Sequence, residues 1–228
     1  MLVFLPGLIC DETVFAPQLE AFGHGVAIRG YPGCDSLEAM ARQVLAEADG
    51  RLDLFGHSMG GRIALEIHRI APQRVRRIAI VSSGVHPVSP GESEKRAALQ
   101  RIGDEQGFEA LVDTWLIPMI APHNRVPEIV EPLRAMCLRQ GRATFDVQVS
   151  ALLNRRDGGP ELAKIACPAL VMTGAADGWS PPDQQEPIAA AISSAMLRIV
   201  EEAGHMLTVE RPEAVNASIA EWLALPAK

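Results

Sequence analysis

Asp53-Leu54-Phe55-Gly56-His57-Ser58-Met59-Gly60-Gly61 is the stretch whose reading decides the fold. An apolar run enters G-x-S-x-G and leaves it as a segment of helical spacing that ends near Ala71, with Ile63, Ile67 and Ile70 on one side. A sharp strand-to-helix bend needs glycines two residues either side of the serine, so that the helix packs close and the hydroxyl stands out at the tip. Five residues can match by chance. The reading therefore rests on what lies to either side.

Towards the N-terminus, Leu2 to Leu5 is an unbroken apolar run stopped by Pro6-Gly7, as suits a strand buried on both faces of a parallel sheet. Val14 to Phe22 has weak helical spacing, and Gly25 to Arg29 reads as a second strand. Asp35 is the expected N-cap of the next helix, with Glu38 three residues on and Leu37, Met40, Ala41, Val44, Leu45 and Ala48 on one face. Beyond the serine turn, Arg77 to Val81 forms a fourth strand ending at Ser82-Ser83-Gly84. The alternation predicts an α/β chain: a mostly parallel sheet of about six strands with helices on both faces and right-handed crossovers.

From about 85 to 159 the alternation stops. Three apolar stripes follow, led by Phe108, Leu111 and Trp115, by Ile129, Leu133 and Met136, and by Phe145, Val149 and Leu152. Bracketed by His86-Pro87 and Gly158-Gly159-Pro160, they predict a helical cap over a core made of residues 1–84 and 160–228. Strand and helix then resume: Cys167 to Thr173 leads to Asp177, Pro182 to Ile192 is a helix, Met196 to Val200 leads to His205, and Pro212 to Leu223 is the last helix.

With 228 residues, 48% hydrophobic and 21% charged, the chain suits one sizeable domain with an insertion. A formal net charge of -7 argues against nucleic acid or an anionic membrane surface, because binding phosphates needs clustered Lys and Arg. Cys10, Cys34, Cys137 and Cys167 are far apart and are expected to be reduced, with no metal-ligand spacing among them. The first ten residues lack the basic start of a signal peptide and are broken by Pro6-Gly7, and no run is long enough to span a bilayer. A cytoplasmic protein is expected, whether monomer or homodimer.

Ligands of an open parallel sheet bind beyond the carboxyl ends of its strands. Four such ends carry glycine or polar chemistry here: Pro6-Gly7-Leu8, Gly56 to Gly60, Asp177 and His205. A serine hydroxyl is a poor nucleophile until a base takes its proton, and the base needs a third group to orient it. The order Ser58, Asp177, His205 is the nucleophile, acid, base order of acyl transfer on this kind of sheet. Asp157 precedes its strand and Asp183 reads as an early-helix carboxylate, so both are weaker candidates for the acid. His57, beside the serine, points elsewhere in such a turn and suits loop bracing. His86 and His123 read as surface, as do Glu201 and Glu202.

The chain resembles the capped serine hydrolases of the α/β-hydrolase superfamily, the group of esterases, lactonases and C–C hydrolases. Gly56-His57-Ser58-Met59-Gly60-Gly61, the pattern from Ile165 to Asp177, and Ala203-Gly204-His205 followed by Glu210-x-Pro212-Glu213 carry the resemblance. It implies Ser58 as nucleophile, His205 as general base and acid, Asp177 as orienting carboxylate, and the backbone N–H groups of Leu8 and Met59 as the oxyanion hole, with neither cofactor nor metal. The family usually has His-Gly before the oxyanion residue. Here Pro6-Gly7-Leu8 lacks that bracing histidine, and the chain opens at what resembles the third strand of the family sheet.

The expected substrate is a small carboxylic ester, lactone or thioester, with Cys10, Trp115 and Trp179 as candidate pocket residues. The same triad would also serve C–C bond hydrolysis or a proton-abstracting lyase reaction, and a catalytically silent ligand receptor is the reading from another class. Arg125, Arg134, Arg139 and Arg142 are candidates to read a substrate carboxylate, and a solvated helix face explains them equally well.

Overall fold

The computed structural model describes residues 1–227. Strands β1 (Leu2–Leu5), β2 (Val26–Ala27), β3 (Leu52–His57), β4 (Val75–Val81), β5 (Ala169–Gly174) and β6 (Ala195–Val200) form one sheet in the order β2-β1-β3-β4-β5-β6. Every neighbouring pair is parallel, with Phe4 opposite Phe55, Phe55 opposite Ala79, and Val81 opposite Met172. Parallel strands need crossover helices, and these cover both faces. That is why β1, β3 and β5 are buried throughout rather than alternating.

The helices in chain order are α1 (Ala16–Ala21), α2 (Leu37–Glu47), α3 (Met59–Ile70), α4 (Glu92–Gln106), α5 (Phe108–Leu116), α6 (Pro127–Gln140), α7 (Arg142–Leu153), α8 (Gly159–Leu162), α9 (Pro182–Ala190), α10 (Leu207–Glu210) and α11 (Pro212–Ala224). Phe4, Phe15 and Phe55 form the aromatic centre beneath the serine turn, with ring centroids 5.2 to 6.1 Å apart and the Phe15–Phe55 pair edge to face. His57 closes this cluster from above, 6.4 Å from the Phe15 ring.

Three local expectations change. The cap of α2 is Ser36, not Asp35: its backbone is extended and its Oγ accepts from Ala39 N–H at 3.2 Å. Glu38 pairs instead with Arg42 and Arg69. Strand β2 shrinks to two residues because it is an edge strand, with Val26 exposed. Between β4 and β5 lie five helices, α4 to α8, and the first of them has no fully buried residue. Its sequence, Glu92 to Gln106, therefore showed no apolar stripe.

Candidate active site

Ser58 stands between β3 and α3 with φ 55° and ψ -120°, a conformation that costs an L-residue of order 1–3 kcal/mol and persists only where the surroundings enforce it. Close packing on both sides supplies that enforcement. A Cβ on Gly60 would strike the carbonyl of Leu5, and one on Gly56 would strike the backbone of Gly60. Ser58 N–H donates to Val81 O at 2.8 Å, which ties the turn to the neighbouring strand.

His205 Nε2 lies 2.9 Å from Ser58 Oγ, and its Nδ1 lies 2.9 and 3.1 Å from the two carboxyl oxygens of Asp177. Asp177 is buried at the end of β5, where Oδ1 accepts the N–H groups of Trp179 and Ser180 and Oδ2 accepts the hydroxyl of Thr173. Burial alone would raise its pKa. The His205 ring and those N–H donors outweigh burial and hold the carboxyl well below the usual carboxylate range. A hydroxyl, an imidazole and an ionised carboxylate in line can pass a proton from the hydroxyl to the ring and stabilise the imidazolium that results.

Two buried groups hold the His205 loop: His57, in the loop-bracing position its place beside the serine suggested, and Glu210, to which the sequence reading gave no role. His57 Nε2–H donates to the His205 carbonyl at 2.8 Å. Burial, reinforced by His205 nearby, pushes the His57 imidazole down to about 4, so it is neutral. Glu210 gathers four donors: the N–H groups of Gly204, Met206 and Ala121 at 2.9 to 3.1 Å, and Asn124 Nδ2 at 2.9 Å. His205 N–H meanwhile donates to Met119 O at 2.7 Å. The segment from Met119 to Asn124, which follows α5, is thereby fastened to the loop carrying the imidazole. Glu210 stood in the quoted Glu-x-Pro pattern, but only the folded chain brings its carboxyl beneath residues 204 and 206.

Leu8 follows β1, and Gly7 packs against the serine: a Cβ there would lie 3.1 Å from Ser58 Cβ. Ile9 has φ 45°, and its N–H donates to Gln148 Oε1 of α7 at 2.7 Å. A glutamine from the β4–β5 segment thus braces the loop that lacks the usual histidine. Met59 is the first residue of α3, where no preceding carbonyl of the helix is available to its N–H.

A pocket of about 510 Å³ opens above the serine, lined by Leu8, Ser58, Met59, Trp115, Trp179 and His205 among others. Cys10 is outside that lining. Its N–H closes a turn onto Gly7 O and its Sγ donates to Leu8 O, which directs the side chain into the core. Arg125, Arg134, Arg139 and Arg142 are also outside it. Arg134 pairs with Asp113 and Glu109, Arg139 with Asp11, Arg142 with Asp104 and Asp146, and Arg125 donates to Ile120 O. The cations lining the pocket are instead Arg62, Lys95, Arg96 and Arg155, beside the single carboxyl of Glu92. His86 lines it too, whereas His123 bonds to Glu202 O at the surface. Asp157 Oδ1 accepts Gly159 N–H in a turn, and Asp183 lies in the first turn of α9. Among the described residues, no group of three His, Cys, Asp or Glu side chains is placed to hold a metal ion.

The chain belongs to the alpha/beta hydrolase family, whose model matches residues 2–218. It superposes with a TM-score of 0.86 on the enol-lactonase from Burkholderia xenovorans LB400, at 25% identity over 98% of this chain and 91% of that one. A thermophilic esterase from Thermogutta terrifontis gives 0.85 at 26% identity over 97% and 88%. Among curated proteins, 3-oxoadipate enol-lactonase 2 of Acinetobacter baylyi is 29% identical over 72% of this chain, which spans 60% of that protein's length. The fold is the α/β-hydrolase fold.

Proposed function

We propose that the protein is a serine hydrolase that cleaves a small carboxylic ester, lactone or thioester through an acyl-enzyme. The observation that carries this reading is the continuous hydrogen-bond line from Asp177 through His205 to Ser58 at the floor of a pocket. The likeness to a named esterase and a named enol-lactonase supports the acyl–oxygen bond as the one cleaved.

In this reading Ser58 Oγ attacks the acyl carbon as His205 Nε2 takes its proton, and Asp177 holds the ring in the tautomer that can accept it. The oxyanion is received by the N–H groups of Leu8 and Met59, assisted by the positive end of the α3 dipole. His205 then protonates the leaving oxygen or sulfur. Water enters, gives its proton to His205, and releases the acid from Ser58. Helices α4 to α7 act as the cap of residues 85–159 and supply Trp115, Phe145 and Leu152 to the pocket ceiling. A small ligand fits the volume. The same line would serve C–C hydrolysis or proton abstraction on a polar substrate, a reading favoured by the charged pocket wall alone.

Labelling with a fluorophosphonate and hydrolysis of p-nitrophenyl esters of rising acyl length test the proposal. Wild type is expected to label and to turn over short acyl chains, and Ser58→Ala to do neither. Equal labelling and equal rates in the two proteins would remove Ser58 as nucleophile. Labelling of wild type without ester turnover would favour C–C cleavage, lyase chemistry or a silent receptor.

A further inference from the structure

Arg62 occupies a position that the proposed hydrolysis leaves unused. Ser58 is the N-cap of α3 and Arg62 lies four residues on, so both project from the same helix face one turn apart. Both line the same pocket. Arg62 donates one hydrogen bond, Nη1 to His86 O at 3.0 Å, and among the described residues no carboxylate lies within ion-pair distance of it. The Nε and Nη2 edge of its guanidinium has no acceptor among those residues.

Its neighbours differ. Arg155 is saturated: it forks onto both oxygens of Glu92 and donates to the carbonyls of His86, Pro87 and Leu152. Arg96 shares the same Glu92. Burial would raise the Glu92 carboxyl, but Arg155 and Arg96 outweigh it and hold it at about 2, so its charge is fully committed. Lys95 lines the same wall. Four cations against one carboxylate thus gather on one wall of the pocket, in a chain whose formal charge is -7. Burial, with Arg155 beside it, lowers Arg62 to about 9, and Glu92 opposes that shift without cancelling it.

We infer that Arg62 is the anchor for a carboxylate on the substrate, with Lys95 and Arg96 supplying supporting charge. Two parallel N–H groups match the two oxygens of a carboxylate, and such charge-assisted forks fix orientation as well as affinity. With the anion held one turn from Ser58, the scissile carbonyl is delivered to the serine by the short chain between the two groups. The inference rests on the hydrolase reading for what the serine does, but not for what the arginine binds.

Binding is measured by calorimetry on the Ser58→Ala protein with monomethyl glutarate and with dimethyl glutarate, ligands that differ by one charge. The charged ligand is expected to bind at least about tenfold more tightly. Arg62→Gln should abolish that preference and Arg62→Lys reduce it, while Arg134→Gln, on an arginine engaged by Asp113 and Glu109, should retain it. Thermal melts of each variant check folding. Equal affinity for the two ligands, no detectable binding of the charged one, or a preference that survives in folded Arg62→Gln overturns the inference.

Turnover separates the two claims and assigns the side of the ester that bears the charge. If mono-p-nitrophenyl glutarate exceeds p-nitrophenyl butyrate in kcat/KM, the carboxylate is on the acyl side; if 4-acetoxybenzoate exceeds phenyl acetate, it is on the leaving group. Ser58-dependent hydrolysis with no preference in either pair removes the carboxylate site alone. Hydrolysis that persists in Ser58→Ala removes the nucleophile and leaves the binding result standing.

Discussion

Gln148 Oε1 accepts the backbone N–H of Ile9 at 2.7 Å, joining α7 to the loop that presents Leu8 beside Ser58. Ile9 sits in the left-handed region, which a β-branched residue enters only at a cost. The glutamine helps to hold it there. Gln148→Ala is expected to lower kcat about tenfold with a smaller change in KM, because the loosened loop serves the developing oxyanion rather than the ground state. Steady-state kinetics on a p-nitrophenyl ester check this; an unchanged kcat would detach Gln148 from the oxyanion loop.

The backbone at Ser58 is strained, with φ 55°. Ser58→Ala keeps a Cβ in that conformation and Ser58→Gly does not. Both should lose about a millionfold in kcat if the serine is the nucleophile. Chemical denaturation should nevertheless find Ser58→Gly more stable than Ser58→Ala by about 1 kcal/mol. The reverse order would mean that the turn is not strained.

Glu210 receives donors from the His205 loop and from the segment after α5. Glu210→Gln turns an amide N–H₂ towards some of those donors, leaving N–H groups buried without acceptors. A loss of about 3 kcal/mol in stability is expected from urea unfolding, with a fall in kcat at temperatures where the variant is still folded. Wild-type kcat in Glu210→Gln would show that His205 holds its place without this clamp.

His57 is neutral in the fold, its pKa about 4 against 6.5 when exposed. The unfolded chain therefore takes up more protons between these values. The resulting stability is intact above pH 6.5 and lost as pH falls towards 4, by up to about 3 kcal/mol. His57→Asn cannot titrate and can still donate to the His205 carbonyl. Urea midpoints at pH 7 and pH 5 should differ less in this variant than in wild type; an equal difference would assign the pH dependence to other groups.

Much of the site was legible because its parts are local. A strand that must stop, a glycine that must let a helix approach and a polar residue at a strand end each leave a mark within a few neighbouring residues. Gly56 to Gly60, Asp177 and His205 could be marked as candidates in this way. The pocket wall could not. Arg62 resembled any cation on an amphipathic helix, and α4, which brings Lys95 and Arg96, lacked an apolar stripe because it buries nothing fully. The four arginines singled out in the 85–159 segment proved to be engaged by acids or a carbonyl outside the pocket.

The sequence by itself determined the parallel α/β sheet, the serine turn and the order in which nucleophile, acid and base candidates occur, since periodicity and turn chemistry are short-range properties. Tertiary structure alone decided which carboxyl sits under which loop, that Gln148 rather than a histidine holds Ile9, and that Arg62 is left without an anion. Those relationships join residues up to 139 positions apart. They depend on how helices α4 to α7 settle on the sheet, and chain-local patterns hold no information about that packing.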